Sequence, residues 1–442
     1  MEDLLAARLQ MAISLGFHIL FAVAGMAMPW LLVLAEWRFL RTRRVVYREL
    51  AMRWAKGTAI LFAVGAVSGT VLSFELGLLW PRFMAEAGPL IGMPFSLEGF
   101  AFFLEAIALG VYLYGWNRVS PRMHLVSGLV VAGSGLASGV FVVAVNSWMN
   151  TPQGFELADD GSLVSVDLVK AFFTPAFPTQ ATHMAIAAYA SVGFAVLGIH
   201  AWRLLKTPRS EFHRAAFRIV LPVVLVSAPL MVVTGDLSAK HLAEYQPTKL
   251  AAAEALFSTR SRAPLLLGGL PDTEAQQVRF GIEVPLLLSI LAKGDPDAEV
   301  EGLDKVPRED WPPVLLTHLA FQVMVASGTL MLGISIWLGF LLLRRRDPAS
   351  HRWFLLACCA AAPLGLIALE AGWCVTELGR QPWIIHGVLR VRDSVTPMPH
   401  LVVPLVGTVL LYLLLGFVVV LLLWRHVLSA PVDDRISEEV EA

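Results

Sequence analysis

Residues 12–35 read AISLGFHILFAVAGMAMPWLLVLA, with His18 the one ionisable side chain among them. A helix needs roughly 20 mostly apolar residues to cross a bilayer, because each backbone polar group must find its partner inside the segment. The stretch therefore reads as a spanning helix. Eight more segments qualify, near 58–79, 95–115, 125–147, 182–204, 216–235, 314–343, 353–376 and 400–423. Composition agrees: of 442 residues, 57% are hydrophobic and 16% charged, against about 25% charged in soluble domains. The expected fold is an all-α integral membrane protein of about nine helices. Spans one to six occupy 1–235, a stretch rich in Pro, Gly and charge occupies 236–312, spans seven to nine occupy 313–426, and a tail occupies 427–442. No internal repeat or low-complexity tract is visible.

Basic residues set the sidedness, since Lys and Arg accumulate in cytoplasmic links. Arg38, Arg41, Arg43, Arg44, Arg48, Arg53 and Lys56 follow span one, and Arg118 and Arg122 follow span three. Arg203, Lys206, Arg209, Arg214 and Arg218 follow span five. Arg344, Arg345, Arg346 and Arg352 follow span seven, with Arg425 and Arg435 in the tail. The opposite side holds Arg8, Arg82, Lys170, Arg380, Arg390 and Arg392, so the balance is 20 against 6 with the long stretch left aside. The N-terminus and the 236–312 loop are thus expected outside and the tail in the cytoplasm. Met1-Glu2-Asp3 is acidic where a signal peptide is basic, so span one is expected to be retained. The net charge of −1 gives no electrostatic case for nucleic acid. The three cysteines, Cys358, Cys359 and Cys374, form no CxxC or CxxCH motif, which excludes a disulfide scaffold and a covalently attached c-type haem.

Ionisable side chains inside spans are costly and so are candidates for function. They are His18, Glu75, Glu98, Glu105, His183 and Glu370, with Asp236 and Glu377 at outer ends. Any one alone fits equally a packed histidine or an acid reaching the headgroups. Together they share a depth. With this sidedness His18, Glu98, His183, Glu370 and Met324 all lie toward the outer surface. Imidazole, thioether and carboxylate are ligands that haem iron accepts, and a His/Met pair suits a low-spin electron-transfer haem. Met324 alone, one of 14 methionines, is equally core filler. Glu105 lies seven residues beyond Glu98 on span three, two turns or roughly 10 Å further in along the same face. That spacing suits a proton relay; an acid bonded to a neighbouring serine is the alternative.

Local strings then become specific. Arg8-Leu9-Gln10 with LGFHILF (15–21), PFSLEGFAFFLEA (94–106), VNSWMNTPQG (145–154), THMA (182–185) and GD (235–236) resemble subunit I of the cytochrome bd quinol oxidases. So do TKLAAAEALF (248–257), FQVMVASG (321–328) and LEAGWCVTELGRQPW (369–383), the last being the most specific. The resemblance runs in order through nearly the whole chain. It implies a terminal oxidase subunit of the bacterial cytoplasmic membrane that takes electrons from quinol and reduces dioxygen to water. It implies three haems: a low-spin haem b on His183 and Met324, and a high-spin haem b and a haem d on His18, Glu98 and Glu370, unassigned between the two. Lys249 and Glu254 match loop residues of quinol oxidation. Glu105, with Ser138 as neighbour, matches a proton path, and Asn146 and Arg380 match polar positions near the haems. The implied partners are a second large membrane subunit and, in some members, a small single-span one.

Three departures stand out: Gln322 where many members carry Arg, Leu366 where some carry Trp, and a short loop of about 75 residues. They resemble the cyanide-insensitive branch and leave open a third haem b in place of haem d. Topology adds a mechanism. Quinol oxidised at the outer face releases protons outside while protons for water enter from the cytoplasm past Glu105, which builds membrane potential. A transporter would show inverted halves and broken helices, and nine spans do not divide evenly. A quinol dehydrogenase subunit would need only low-spin sites, whereas His18, Glu98 and Glu370 add ligands of another kind.

Overall fold

The computed structural model describes residues 2–159 and 162–429; the end of the expected tail, with Arg435, lies outside the described residues. Among the described residues nine helices are long and apolar enough to cross a membrane, so the chain is an all-α multi-pass membrane protein. They are span one Asp3–Thr42, two Val45–Leu79, three Pro81–Tyr114, four Pro121–Asn150, five Phe177–Lys206, six Glu211–Tyr245, seven Val314–Leu343, eight Arg352–Leu378 and nine Val402–Leu428.

Several helices outrun their apolar stretches. Span three starts at Pro81 rather than near 95. Pro81 suits a first helical position, where no amide partner is needed. Pro89 and Pro94 stay inside the helix, as prolines do where neighbouring elements satisfy the freed carbonyls. Span six runs past 235 to Tyr245, so the expected loop begins as helix. Pro247 then opens a separate short helix, Pro247–Ala253. The rest of the 246–313 connection holds small antiparallel ribbons, Leu265–Leu267 with Ile282–Val284, Leu270–Asp272 with Gln277–Arg279, and Arg260–Ser261 with Glu299–Val300. It has its own apolar centre around Leu250, Phe257, Leu288, Val300 and Val314.

Span eight, expected as one helix, is broken into Arg352–Ala361 and Leu364–Leu378. Pro363 has no N–H to give, and its ring crowds the carbonyl of Cys359 four residues earlier. Span five braces the break. A Cβ on Gly198 would stand 2.4 Å from that of Ala362, and one on Gly365 would stand 2.4 Å from Ser191 Cα. Only glycine allows this approach, and Ser191 Oγ donates to the Gly365 carbonyl at 2.8 Å, the small-residue packing of membrane helices. The Leu364–Leu378 piece of span eight is thereby fixed as an independent helix carrying Glu370, Gly372 and Glu377.

A large core around Leu32, Leu50, Phe194, Leu197, Phe217 and Phe354 joins spans one, two, five, six and eight. A second core, with Trp80, Phe83, Ile91, Trp148 and Ile385, caps the opposite end of spans three and four. Phe100, Phe103 and Ile107 project from span three at 75%, 65% and 68% exposure, an apolar face of the kind that lipid or another membrane subunit covers.

Candidate functional site

Two histidines are held in one protonation pattern. Ser68 Oγ gives its hydrogen to the carbonyl of Val64 at 3.0 Å, so at 2.9 Å it accepts from His18 Nδ1. Thr234 Oγ1 likewise donates to Leu230 O at 2.9 Å and accepts from His183 Nδ1 at 2.9 Å. A neutral imidazole carries one N–H, so each ring keeps its hydrogen on Nδ1 and presents a bare Nε2. Such an outer partner orients a metal-binding histidine. Packing fixes the rings further: Cβ atoms on Gly69 and Gly235 would stand 3.0 Å and 3.6 Å from the Cε1 of His18 and of His183.

The Leu364–Leu378 piece of span eight is the hub. Glu370 Oε2 lies 3.3 Å from where a Cβ on Gly16 would be, which brings this carboxylate to the helix of His18. Its Oε1 is buried and has no partner. Met324 Sδ lies 3.1 Å from the corresponding point on Gly372. Span three contributes Glu98, whose Oε1 accepts from Ser138 at 3.1 Å. Gly139 is the next residue, and its Cβ position is 3.5 Å from the Met184 methyl, beside His183. These contacts bring Glu370 to the helix of His18 and Met324 to the helix of Glu370, and bring the neighbour of Glu98's partner Ser138 to the neighbour of His183. Among the described residues no three His, Cys, Asp or Glu side chains gather into a metal cage.

Ser138 therefore pairs with Glu98, and its expected place beside Glu105 is corrected. Glu105 instead sits in a notch between spans one and four, its Oε1 3.5 Å and 3.2 Å from Cβ positions on Gly25 and Gly135. The glycines leave the room that a buried carboxylate needs there.

Asn146 and Arg380 belong to a polar chain at the end of spans four and eight. Glu377 Oε1 accepts from Asn146 Nδ2 at 2.6 Å, and its Oε2 accepts from Arg380 at 2.5 Å. Asn150 Nδ2 donates to Asn146 Oδ1 at 3.1 Å, and Lys249 Nζ donates to Asn150 Oδ1. Arg380 is buried, and its Nε and Nη1 have no partner. A guanidinium with two idle buried donors calls for an anion.

Lys249 and Glu254, five apart, diverge as their spacing on a helix predicts. Lys249 packs on Gly379 and joins the polar chain. Glu254 faces the loop ribbon, 5% exposed, with Oε2 unpartnered. Burial holds the Lys249 ammonium down at about 7, with the Arg380 charge adding to it and Glu377 opposing. Burial lifts the Glu254 carboxyl to about 8, and the Leu266 amide draws it partly back.

Other polar groups escaped the sequence reading. Glu36 and His124 form a buried pair at 2.8 Å; each lies one residue outside its assigned span, so neither counted as intramembrane. Glu75, already a candidate by its place in span two, accepts from Gln10 Nε2 at 2.9 Å. His200 accepts from Trp54 Nε1 at 3.3 Å and lies 3.0 Å from His213. His200 lies within the 182–204 stretch, close to Arg203 and Lys206 at its basic end, and is absent from the intramembrane groups singled out by sequence.

Known proteins share both this sequence and this shape. The family model of the cytochrome bd terminal oxidase subunit I matches residues 6–431. A candidate cytochrome bd menaquinol oxidase subunit I from Bacillus subtilis (strain 168) is 36% identical, covering 99% of each chain. The cytochrome bd ubiquinol oxidase subunit 1 of the same organism is 29% identical over 98% of this chain and 96% of its own. The structure of the bd oxidase from Geobacillus thermodenitrificans superposes with a TM-score of 0.91 at 40% identity, covering 97% of this chain and 99% of that one. The chain belongs to the cytochrome bd terminal oxidase subunit I family.

Proposed function

We propose that this chain is the haem-bearing subunit of a quinol oxidase, oxidising quinol on the outer side of the bacterial cytoplasmic membrane and reducing dioxygen to water. Family membership supports the oxidoreductase class. The observation that carries the rest is the layer of iron-type donors: two bare Nε2 atoms, a seated thioether and an unpartnered buried carboxylate oxygen. Those residues fit haem, and the idle Arg380 donors fit its propionates. His183 and Met324 would hold a low-spin haem b, and His18, Glu98 and Glu370 a high-spin haem b with a haem d or third haem b. Haem bound there supplies one-electron transfer and, where one ligand leaves the iron open, a seat for dioxygen.

The chain's own groups handle protons. Quinol gives up two protons and two electrons in becoming quinone. Glu254, with an unpartnered oxygen and an unusually high affinity for protons, accepts from a quinol hydroxyl as general base. Lys249 is neutral above about 7 and holds the loop helix to spans four and eight through Asn150. Protons consumed in making water reach the donor layer from the cytoplasm past Glu105 and then Glu98. Each charge so moved stores about 2.3 kcal/mol per 100 mV. The apolar flank of span three suits subunit II, the second large membrane subunit.

The pH dependence tests it. A base must be deprotonated to act, and below about 8 most Glu254 is protonated. Quinol-driven oxygen uptake by the complex in membranes is expected to rise with pH through that value and level off above it. Glu254→Gln is expected to lose roughly 100-fold and to lose the acid limb with it. A full-rate variant with an unchanged profile would place the base elsewhere.

Outer partners of the ligands are open to the same scrutiny. Thr234→Val keeps the shape but removes the acceptor for His183 Nδ1–H, and a roughly 10-fold or greater loss of haem affinity is expected. The haem-to-protein ratio after detergent washing reads it. Full retention would show that Thr234 does not set the ring.

A further inference from the structure

The strand Leu265–Leu267 pairs along one edge with Ile282–Val284. Alternate residues of a strand turn their N–H and C=O groups to opposite edges, and an edge left open is a liability. Here the second edge is filled by side chains. Gln322 Nε2 donates to Leu266 O at 3.0 Å, and Gln322 Oε1 accepts from Gly268 N–H at 2.9 Å. The one amide side chain thus makes the pair of bonds that a neighbouring strand would make. One turn earlier on span seven, His318 is fully buried, with Nε2 3.1 Å from Gly268 O and Nδ1 2.8 Å from Ala253 O. The remaining group on this edge is the Leu266 N–H, whose pull on the Glu254 carboxyl partly offsets the effect of its burial. Ala253 immediately precedes Glu254; an imidazole with one N–H donates to only one of these two carbonyls and packs against the other, and these contacts close a ring from span seven through the strand to Glu254 and back.

We propose that Gln322 and His318 are positioning residues for quinol oxidation: they clamp the free edge of 265–268 to span seven and so hold the Leu266 amide against one side of the Glu254 carboxylate, leaving Oε2 for the quinol hydroxyl. The clamp rests on the assignment of Glu254 as base. It explains how a carboxylate on a surface connection is held still without a counter-charge. Lys249, on the same segment, is spent on Asn150, and His318 is the titratable group that faces the segment from span seven. Met324 is two residues beyond Gln322 on the same helix, so the base and the proposed electron acceptor's ligand are fixed to one rigid element. The clamp also gives Gln322, a departure from the arginine many relatives carry, a task that its two-sided amide performs and an all-donor guanidinium does not.

The test uses the intact complex in membranes, with short-chain ubiquinol- and menaquinol-type donors, and separately with ascorbate and TMPD as a donor that needs no proton acceptor. Gln322→Leu removes both strand bonds while keeping bulk. Expected are an unchanged haem spectrum, unchanged TMPD-driven oxygen uptake, and a roughly 10-fold lower kcat/KM for quinol. The acid limb should move up by about one pH unit, because the carboxylate stays buried but loses its fixed amide donor. His318→Phe cuts the other half of the ring and should give the same split. Quinol oxidation lost in Glu254→Gln but unchanged in both span-seven variants overturns the clamp alone. Oxidation unchanged in all three overturns the Glu254 assignment and the clamp with it. An altered haem spectrum with equal losses for both donors would show that the two residues serve the haem layer and not the base.

Discussion

His183→Ala is expected to strip one haem from the complex and to bring quinol-driven oxygen uptake to background. The expectation follows from how little else holds that site. His183 offers a single bare nitrogen, fixed by Thr234 on span six and by contact with Gly235. Its proposed partner, Met324, is a weak thioether donor resting on Gly372. Removing the imidazole leaves a lone thioether, which holds iron poorly. Met324→Leu makes a useful contrast. It conserves volume beside Gly372, so packing survives, and haem stays on the histidine with an altered spectrum. The order of damage, His183→Ala above Met324→Leu, is read from extracted haem per chain and from the reduced-minus-oxidised difference spectrum. A full complement of haem in His183→Ala would remove this residue from the ligand set.

Glu105→Gln is expected to cut turnover roughly 100-fold while leaving every haem in place, the size of effect associated with a lost proton-transfer group. Glu105 is 5% exposed and belongs to span three alone, with Gly25 and Gly135 giving it room on the facing helices. The amide fits the same notch and cannot carry a proton through it. Electrons should still enter, so the haems of the variant are expected to be more reduced during steady turnover than those of the native complex. Near-native turnover in Glu105→Gln would mean that protons take another route. Glu98, bonded to Ser138, is the next acceptor on the proposed route, and the two carboxylates occupy one face of span three as their seven-residue spacing dictates.

Much of this architecture is legible in the sequence because the bilayer is a severe solvent. Nine apolar stretches must be helices, and an ionisable side chain among them advertises itself by its cost. That is why His18, Glu98, Glu105, His183 and Glu370 could be singled out by residue type alone. Helix ends were less legible, since apolarity stops where the membrane stops while hydrogen bonding continues. Span three reaches back to Pro81 through two prolines, and span six continues to Tyr245. Glu36 and His124 fell outside the assigned spans for the same reason. Partners across helices were not legible at all: Ser138 serves Glu98 and not Glu105 because of the rotation of span four, which no local pattern records. The strand edge filled by Gln322 and His318 depends on residues 50 to 65 positions away, and a lone Gln in an apolar helix gives no sign of it.

The central claim is that one layer of this chain holds haem for quinol oxidation by dioxygen. The purified complex, reduced with dithionite and measured against its air-oxidised state with pyridine-haem extraction alongside, tests it most directly. Three haems per chain are predicted, at least two of them haem b, with either a red-shifted haem d band or a third haem b as the remaining one. A preparation active or stable without haem, or one holding only a low-spin haem on His183 and Met324, would contradict the account.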